Sequence, residues 1–329
     1  MPNSASFFAP GKLFLAGEYA VTAPGGEAII LPVRKGIKVT VKARKGFRLI
    51  NRQYPHESMR FKDLHSLSNP YLRLAMEVVR QWAMVKKIRW RPFAMTIDSS
   101  LVARHGKYGL GSSGAVTVAV IGALLKFLGM PFNRLELYQL AVIATIQNYQ
   151  DTSFGDVACS SFNQTIHYRK FAKEMVPLLK TLHVKNLLAM SWQDLLIEPI
   201  KLKMEKPLVV YSGTSADSHQ MVKMVHPHVS TSWVKQSNTL VNQWMEQFSL
   251  PLVTATHKHL KTLAKEASAP IFTSGIQTIL EASLLLGGVA KISGAGGGDC
   301  VLVFLPKGQT NAFRQRLPKQ KFKILSDII

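Results

Sequence analysis

Cysteines and acidic residues are scarce in this chain, and no hydrophobic run is long. Two cysteines in 329 residues, Cys159 and Cys300, are too few for a disulfide scaffold, so a reducing, cytoplasmic compartment is expected. The longest apolar run, Ala115 to Leu125, is followed by Lys126 and then by Gly129-Met130-Pro131. It falls short of the ~20 residues that a bilayer span needs, and no membrane association is expected. The opening MPNSASFFAPGK has no basic stretch ahead of a sustained apolar one, so it does not read as a secretion signal.

Nineteen acidic residues stand against 41 lysines and arginines, a formal charge of +22. Such an excess concentrates anions at the surface, whether nucleic acid, anionic lipid or a phosphorylated metabolite. The basic residues are spread over 34–52, 86–91, 169–206 and 307–323 with no aromatic RNA-binding signature among them, and no nucleic-acid partner is expected. A cationic solvated surface accounts for the same charge.

What is abundant is glycine at particular places. Residues 107–125 read KYGLGSSGAVTVAVIGALL. A loop that wraps a phosphate has to bring backbone N–H groups close, and Cβ atoms obstruct that approach. Gly109, Gly111 and Gly114 remove the obstruction, Ser112 and Ser113 add hydroxyls, and the apolar run behind them predicts an inner helix whose N-terminus favours anions. No Gly-Lys-Ser/Thr follows, so this is not a Walker A loop. Nor is the Rossmann context present, since no buried strand precedes the loop and no acid lies about 20 residues on. A plain structural turn is the alternative.

Two further stretches stand out. In APGKLFLAGEYAV, residues 9–21, Pro10-Gly11 present Lys12 at the start of a strand and Gly17-Glu18-Tyr19 follow one strand-length later; a hairpin with a solvated lysine is the alternative. In KISGAGGGDCVLVFL, residues 291–305, four glycines fall within five residues between two apolar strands. That density predicts close approach by another backbone or a ligand. The other segments read as strands in LFLAGEY, EAIILPV, IKVTVKA, FAMTI, QTIHY and PLVVYSG. Helices are expected over 70–85, 135–149 and from 157, and across most of 229–284. The pattern predicts an α+β chain in two halves, divided as 1–180 and 181–329.

Together the three stretches resemble the GHMP family of small-molecule kinases, with Pro10-Gly11-Lys12 through Gly17-Glu18-Tyr19 matching its first motif, Gly109 to Ser113 its phosphate loop and Ser293 to Asp299 its third. The resemblance implies a two-domain fold, a ribosomal-protein-like αβ domain followed by a ferredoxin-like one, with phosphoryl transfer from ATP and Mg2+ between them. It implies catalytic roles for Asp156, the carboxylate, and Lys12, the cation beside it. Lys107, Gly109, Leu110, Gly111, Ser112, Ser113 and Gly114 would hold the nucleotide, and Ser112 the metal. Glu18, Tyr19, Ser153 and the segment Ser212, Gly213, Thr214, Ser215 and Ala216 would surround the acceptor. Ser293, Gly294, Ala295, Gly296 and Gly297 would close the other side. Asp156 alone also reads as a helix N-cap.

Within the family, AGEYAV, Lys107-Tyr108, SFGDVA at 153–158 and YSGTSADS at 211–218 are similar to the branch that phosphorylates phosphomevalonate on the mevalonate route to isoprenoids. A cluster of Lys12 and Lys107 with Arg104 or His105 fits an anionic acceptor. Mevalonate or a sugar as acceptor is the alternative, and a non-catalytic binding protein a more distant one; a monomer or homodimer is expected. Tyr211 replaces a usual tryptophan and Asn163 a common glycine. Residues 141–150 contain no carboxylate, where mevalonate-kinase relatives place a magnesium ligand.

Overall fold

A computed structural model describes residues 2–103, 106–148, 152–318, 321–325 and 328–329. The two strands Ser4–Ala16 and Glu27–Ala43 form a long antiparallel hairpin at the heart of a seven-stranded sheet. Outward from Glu27–Ala43, one direction adds Phe93–Ser99, Phe47–Asn51 and Met59–Phe61; the other adds Ile166–Arg169 and Leu196–Pro199. Phe47–Asn51 runs parallel to Phe93–Ser99.

EAIILPV and IKVTVKA, expected as two strands, are one. The Pro and Gly between them mark an irregularity, not an end: the register passes from Pro10↔Gly36 to Lys12↔Pro32, so three residues oppose Gly11. A bulge of this kind bends a strand and re-aims its side chains. Here Gly11 lies against the carbonyl of Leu110, which a Cβ would approach to 2.6 Å, and the Lys12 N–H donates to that carbonyl at 2.8 Å. The bulge therefore joins the first motif to the glycine loop.

The loop helix Ser112–Phe127 packs on both central strands and on the helices Pro70–Val85, Arg134–Ile146 and Gly155–Phe162. Its buried residues run around the whole circumference, as its sequence predicts for an inner helix. Rigid burial of this kind fixes where its N-terminus points.

The second sheet has the order Val289–Ile292, Cys300–Phe304, Leu208–Tyr211, Lys323–Leu325, all antiparallel. Along the chain, helices connect Leu208–Tyr211 to Val289–Ile292 and Cys300–Phe304 to Lys323–Leu325, which is the expected ferredoxin-like arrangement. Alternation divides its side chains. Val209, Tyr211, Cys300, Leu302 and Phe304 join the core of the first half, whereas Val210, Val301 and Val303 face the second half's own helices. Residues 181–199 still serve the first sheet, to which Leu196–Pro199 adds the edge.

Candidate active site

The three glycine-bearing stretches meet around one cleft of about 1170 Å³. Gly111 is the N-cap of the loop helix in a left-handed conformation, φ 76° and ψ 42°, and contributes no side chain there. The helix end is thus left to backbone donors, which suits an anion. A Cβ on Gly111 would sit 2.9 Å from Lys12 Cγ and 3.2 Å from Asp156 Cβ; one on Gly114 would sit 2.6 Å from Asp156 Oδ2; one on Gly109 would sit 2.1 Å from Asp299 Cγ. The glycines therefore make room for the charged side chains of the site itself. The sequence assigns that room to phosphate alone.

Lys12 is buried, and its Nζ donates to the Gly109 carbonyl at 3.1 Å and lies 5.2 Å from the centre of the Phe14 ring. Asp156 is half-buried on the cleft wall, enclosed by protein behind and open to the cleft in front. It is the second residue of Gly155–Phe162, whose N-cap is Phe154, so it does not cap that helix. Its Oδ1 accepts the Val157 N–H at 2.9 Å, and the Gly114 N–H also donates to the carboxylate. Desolvation pushes the Asp156 carboxyl above the usual carboxylate range; the Lys12 ammonium and these N–H donors oppose the shift.

A second carboxylate, Asp299, faces Lys12 from the other half. It is buried, adopts φ 58°, and accepts the Ala216 N–H at 3.1 Å. Burial raises its pKa too, opposed first by that N–H and then by Lys12. In the sequence it is marked only as the acid that closes the third motif. Lys223, His226 and Thr145 also line the cleft; no motif marks them.

Of the residues expected to bind, Glu18, Tyr19, Lys107, Ser112, Ser113 and Ser153 line the cleft. So do Leu110, Ser215, Ala216, Gly294 and Ala295. Arg104 and His105 lie outside the described residues. Ser212, Gly213, Thr214, Ser293, Gly296 and Gly297 are not on the cleft wall but stand behind it. Ser293 Oγ accepts the Phe14 N–H at 2.8 Å and the Thr214 carbonyl accepts the Asp299 N–H at 2.8 Å. Cβ atoms on Gly213, Gly296 and Gly297 would meet Lys321 O, Ile271 Cγ2 and Met221 Cε at 2.4, 2.6 and 2.5 Å. Those glycines are explained by close packing of the chain on itself. The two departures from the family pattern are accommodated: Asn163 takes the left-handed conformation, φ 54°, and Tyr211 packs edge-on against Tyr108 while its hydroxyl meets Ser215 Oγ at 3.2 Å.

Among the described residues no cluster of three or more His, Cys, Asp or Glu could hold a metal. The groups near the loop are oxygen donors, Ser112, Asp156 and Asp299, which suit a hard cation bound chiefly through phosphates and water.

Family models confirm what this geometry indicates. The GHMP kinases N terminal domain matches residues 72–164 and the GHMP kinases C terminal domain residues 234–324, together more than half of the chain. The chain belongs to the GHMP kinase family. It is 28% identical over 331 residues to the phosphomevalonate kinase of Streptomyces sp. (strain CL190), with 90% of this chain and 88% of that one covered. It is 26% identical over 260 residues to the mevalonate kinase of Thermococcus gammatolerans, covering 73% and 67%. The structure of Streptococcus pneumoniae phosphomevalonate kinase in complex with phosphomevalonate and AMPPNP superposes with a TM-score of 0.88 at 24% identity, covering 98% of this chain and 99% of that one.

Proposed function

We propose that this kinase transfers the γ-phosphoryl group of ATP to the phosphate of (R)-5-phosphomevalonate, giving 5-diphosphomevalonate and ADP. The observation that carries the chemistry is the Lys12–Asp156 pair set against the open N-terminus of a rigid helix. Transfer between two polyanions is mainly alignment and screening of their repulsion. The loop from Gly109 to Gly114 holds the triphosphate, Lys107 and Lys12 screen the two anions, and Asp156 orients the Lys12 ammonium. Mg2+, held by phosphates, water and Ser112, would neutralise charge on the β- and γ-phosphates.

A phosphate monoester carries about −1.5 to −2 charges near neutral pH, its second pKa being about 6. The acceptor therefore arrives already largely deprotonated, and Asp156 works by position more than as a base. Acceptor identity is supported by the 28% identical phosphomevalonate kinase and by the cationic cleft. We place the domain division after Pro199, where the last strand of the first sheet ends, and not near 180; the acceptor site lies between the halves, and the enzyme is placed in the cytoplasm as a monomer or homodimer, with which two buried, unbridged cysteines accord. The test is ADP release with phosphomevalonate, mevalonate, homoserine and galactose. Phosphomevalonate is expected to be turned over at least tenfold more efficiently than the others, a difference of about 1.4 kcal/mol; a preference for mevalonate overturns the acceptor assignment.

A further inference from the structure

The helix Ser218–Val225, in the second half, turns a basic face to the cleft that no motif accounts for. His219, Val222, Lys223 and His226 are spaced i, i+3, i+4 and i+7, the spacing of one helix face, and all four line the cleft. His226, the C-cap, keeps helical angles, φ −53° and ψ −38°, and so extends that face. On the other side Met221 and Val225 are buried in the second half's core and seat the helix.

Lys223 is exposed, and among the described residues its ammonium has no hydrogen-bond or ion-pair partner. The acids of the cleft wall are engaged elsewhere. Asp156 and Asp299 face Lys12, and Glu18 is paired with Lys291 in the interior. Asp217 is the N-cap of this helix and accepts the His219 and Gln220 N–H groups, each at 3.1 Å.

The face stands one loop away from the transfer centre. Just ahead of the helix, Ser215 Oγ donates to the Lys107 carbonyl at 2.8 Å. On its core side Met221 packs on Gly297 of the third motif, and at the near end of that motif a Cβ on Gly294 would sit 3.6 Å from Lys12 Nζ. The third motif thus bridges from Lys12 to the helix, and a small acceptor with its phosphate at Lys12 extends along it.

We propose that Lys223 is a specificity-determining residue of the acceptor site, its ammonium pairing with a carboxylate at the end of the acceptor opposite the reacting phosphate. This rests on the kinase assignment above. Phosphomevalonate is anionic at both ends, and Lys12 and Lys107 attract either end to the γ-phosphoryl group. A separate cation on the second half removes that ambiguity: with the carboxylate at Lys223, the phosphate is the end that lies at Lys12. It also keeps a third anion out of a centre where two phosphates already repel each other. A few polar groups placed apart in a cleft fix orientation in this way.

The experiment compares wild type and Lys223→Met by steady-state kinetics in both substrates, using phosphomevalonate and an analogue with a hydroxymethyl group in place of the carboxylate. Where the analogue is not turned over, its inhibition constant serves in place of KM. Lys223 is exposed and the helix is seated by other residues, so the unfolding temperature is expected within about 2 °C of wild type. On phosphomevalonate the acceptor KM is expected to rise about tenfold, with the ATP KM within about twofold. On the analogue the two enzymes are expected to agree within about twofold, because the group that Lys223 meets is gone. An equal rise on both acceptors assigns Lys223 to the phosphate or to the general potential of the cleft and overturns the proposal. So does an unchanged acceptor KM, or a change confined to the ATP KM. If wild type prefers mevalonate, the acceptor assignment fails separately; mevalonate carries the same carboxylate, and the comparison is then run on mevalonate and its hydroxymethyl analogue.

Discussion

In Gly114→Ala the added Cβ lands 2.6 Å from Asp156 Oδ2 and 2.8 Å from its Cγ, where ordinary contact begins at 3.4 Å. Asp156 has protein behind it and the cleft in front, so it yields toward the cleft, by about 1 Å. Misplacing a reacting group on that scale costs on the order of 10²-fold in rate, or roughly 2.7 kcal/mol of barrier. Folding is less affected. Overpacking costs about 1–3 kcal/mol, while alanine in place of glycine within Ser112–Phe127 returns about 1 kcal/mol of helix propensity. The assay is turnover by ADP release, with unfolding temperature as the control. The decisive comparison is the same substitution made in Asp156→Ala, where no carboxylate remains to be displaced. There Gly114→Ala is expected to cost less than about threefold, the non-additivity of groups that act together. An equal loss in both backgrounds would refute the claim that Gly114 is glycine in order to seat Asp156.

Lys12→Met is expected to lower kcat by about 10²–10³ with little change in either KM, since charge crowding peaks during transfer; near-normal turnover with a raised KM contradicts the role given to Lys12. Acid sensitivity is expected from His257, whose pKa is lowered to about 4 by burial and by the Lys261 and Lys291 charges. The folded state keeps this imidazole neutral down to about 4, whereas the unfolded chain protonates it at its ordinary value of 6.5. Its contribution is therefore full above 6.5 and is lost as pH falls toward 4, a loss of ~1–2 kcal/mol after discounting for partial exposure. Replacing His257 by phenylalanine keeps the edge-on contact with Phe272 and is expected to flatten unfolding temperature against pH across that window. An unchanged slope contradicts the assignment.

Much of the site was legible because its constraints are local. The apolar run after Gly114 could only be an inner helix, and glycine on either side of Leu110 reported backbone crowding. Lys12 and Asp156 were identified through the motifs that surround them, and no periodicity would have singled out either. What escaped depends on contacts between distant segments. Asp299 faces Gly109 and Lys12 only once the two halves meet. The partnership of Glu18 with Lys291 spans 273 residues. The glycines from 296 to 298 carry the same local signature as the phosphate loop, yet Gly296 and Gly297 pack on Ile271 and Met221. Composition cannot tell a loop folded against its own chain from one folded around a ligand. Pro32 and Gly36 read as punctuation that splits Glu27–Ala43 in two, whereas the strand runs through them by bulging residues 33–35 opposite Gly11.

The acceptor assignment is tested most directly by 31P NMR of one reaction containing the enzyme, ATP, Mg2+ and equimolar mevalonate and phosphomevalonate. Transfer onto phosphate is expected to consume the phosphomevalonate monoester resonance and produce the coupled pair of a new diphosphate while mevalonate persists. Growth of the monoester resonance at the expense of mevalonate, with no diphosphate product other than ADP, would contradict the account.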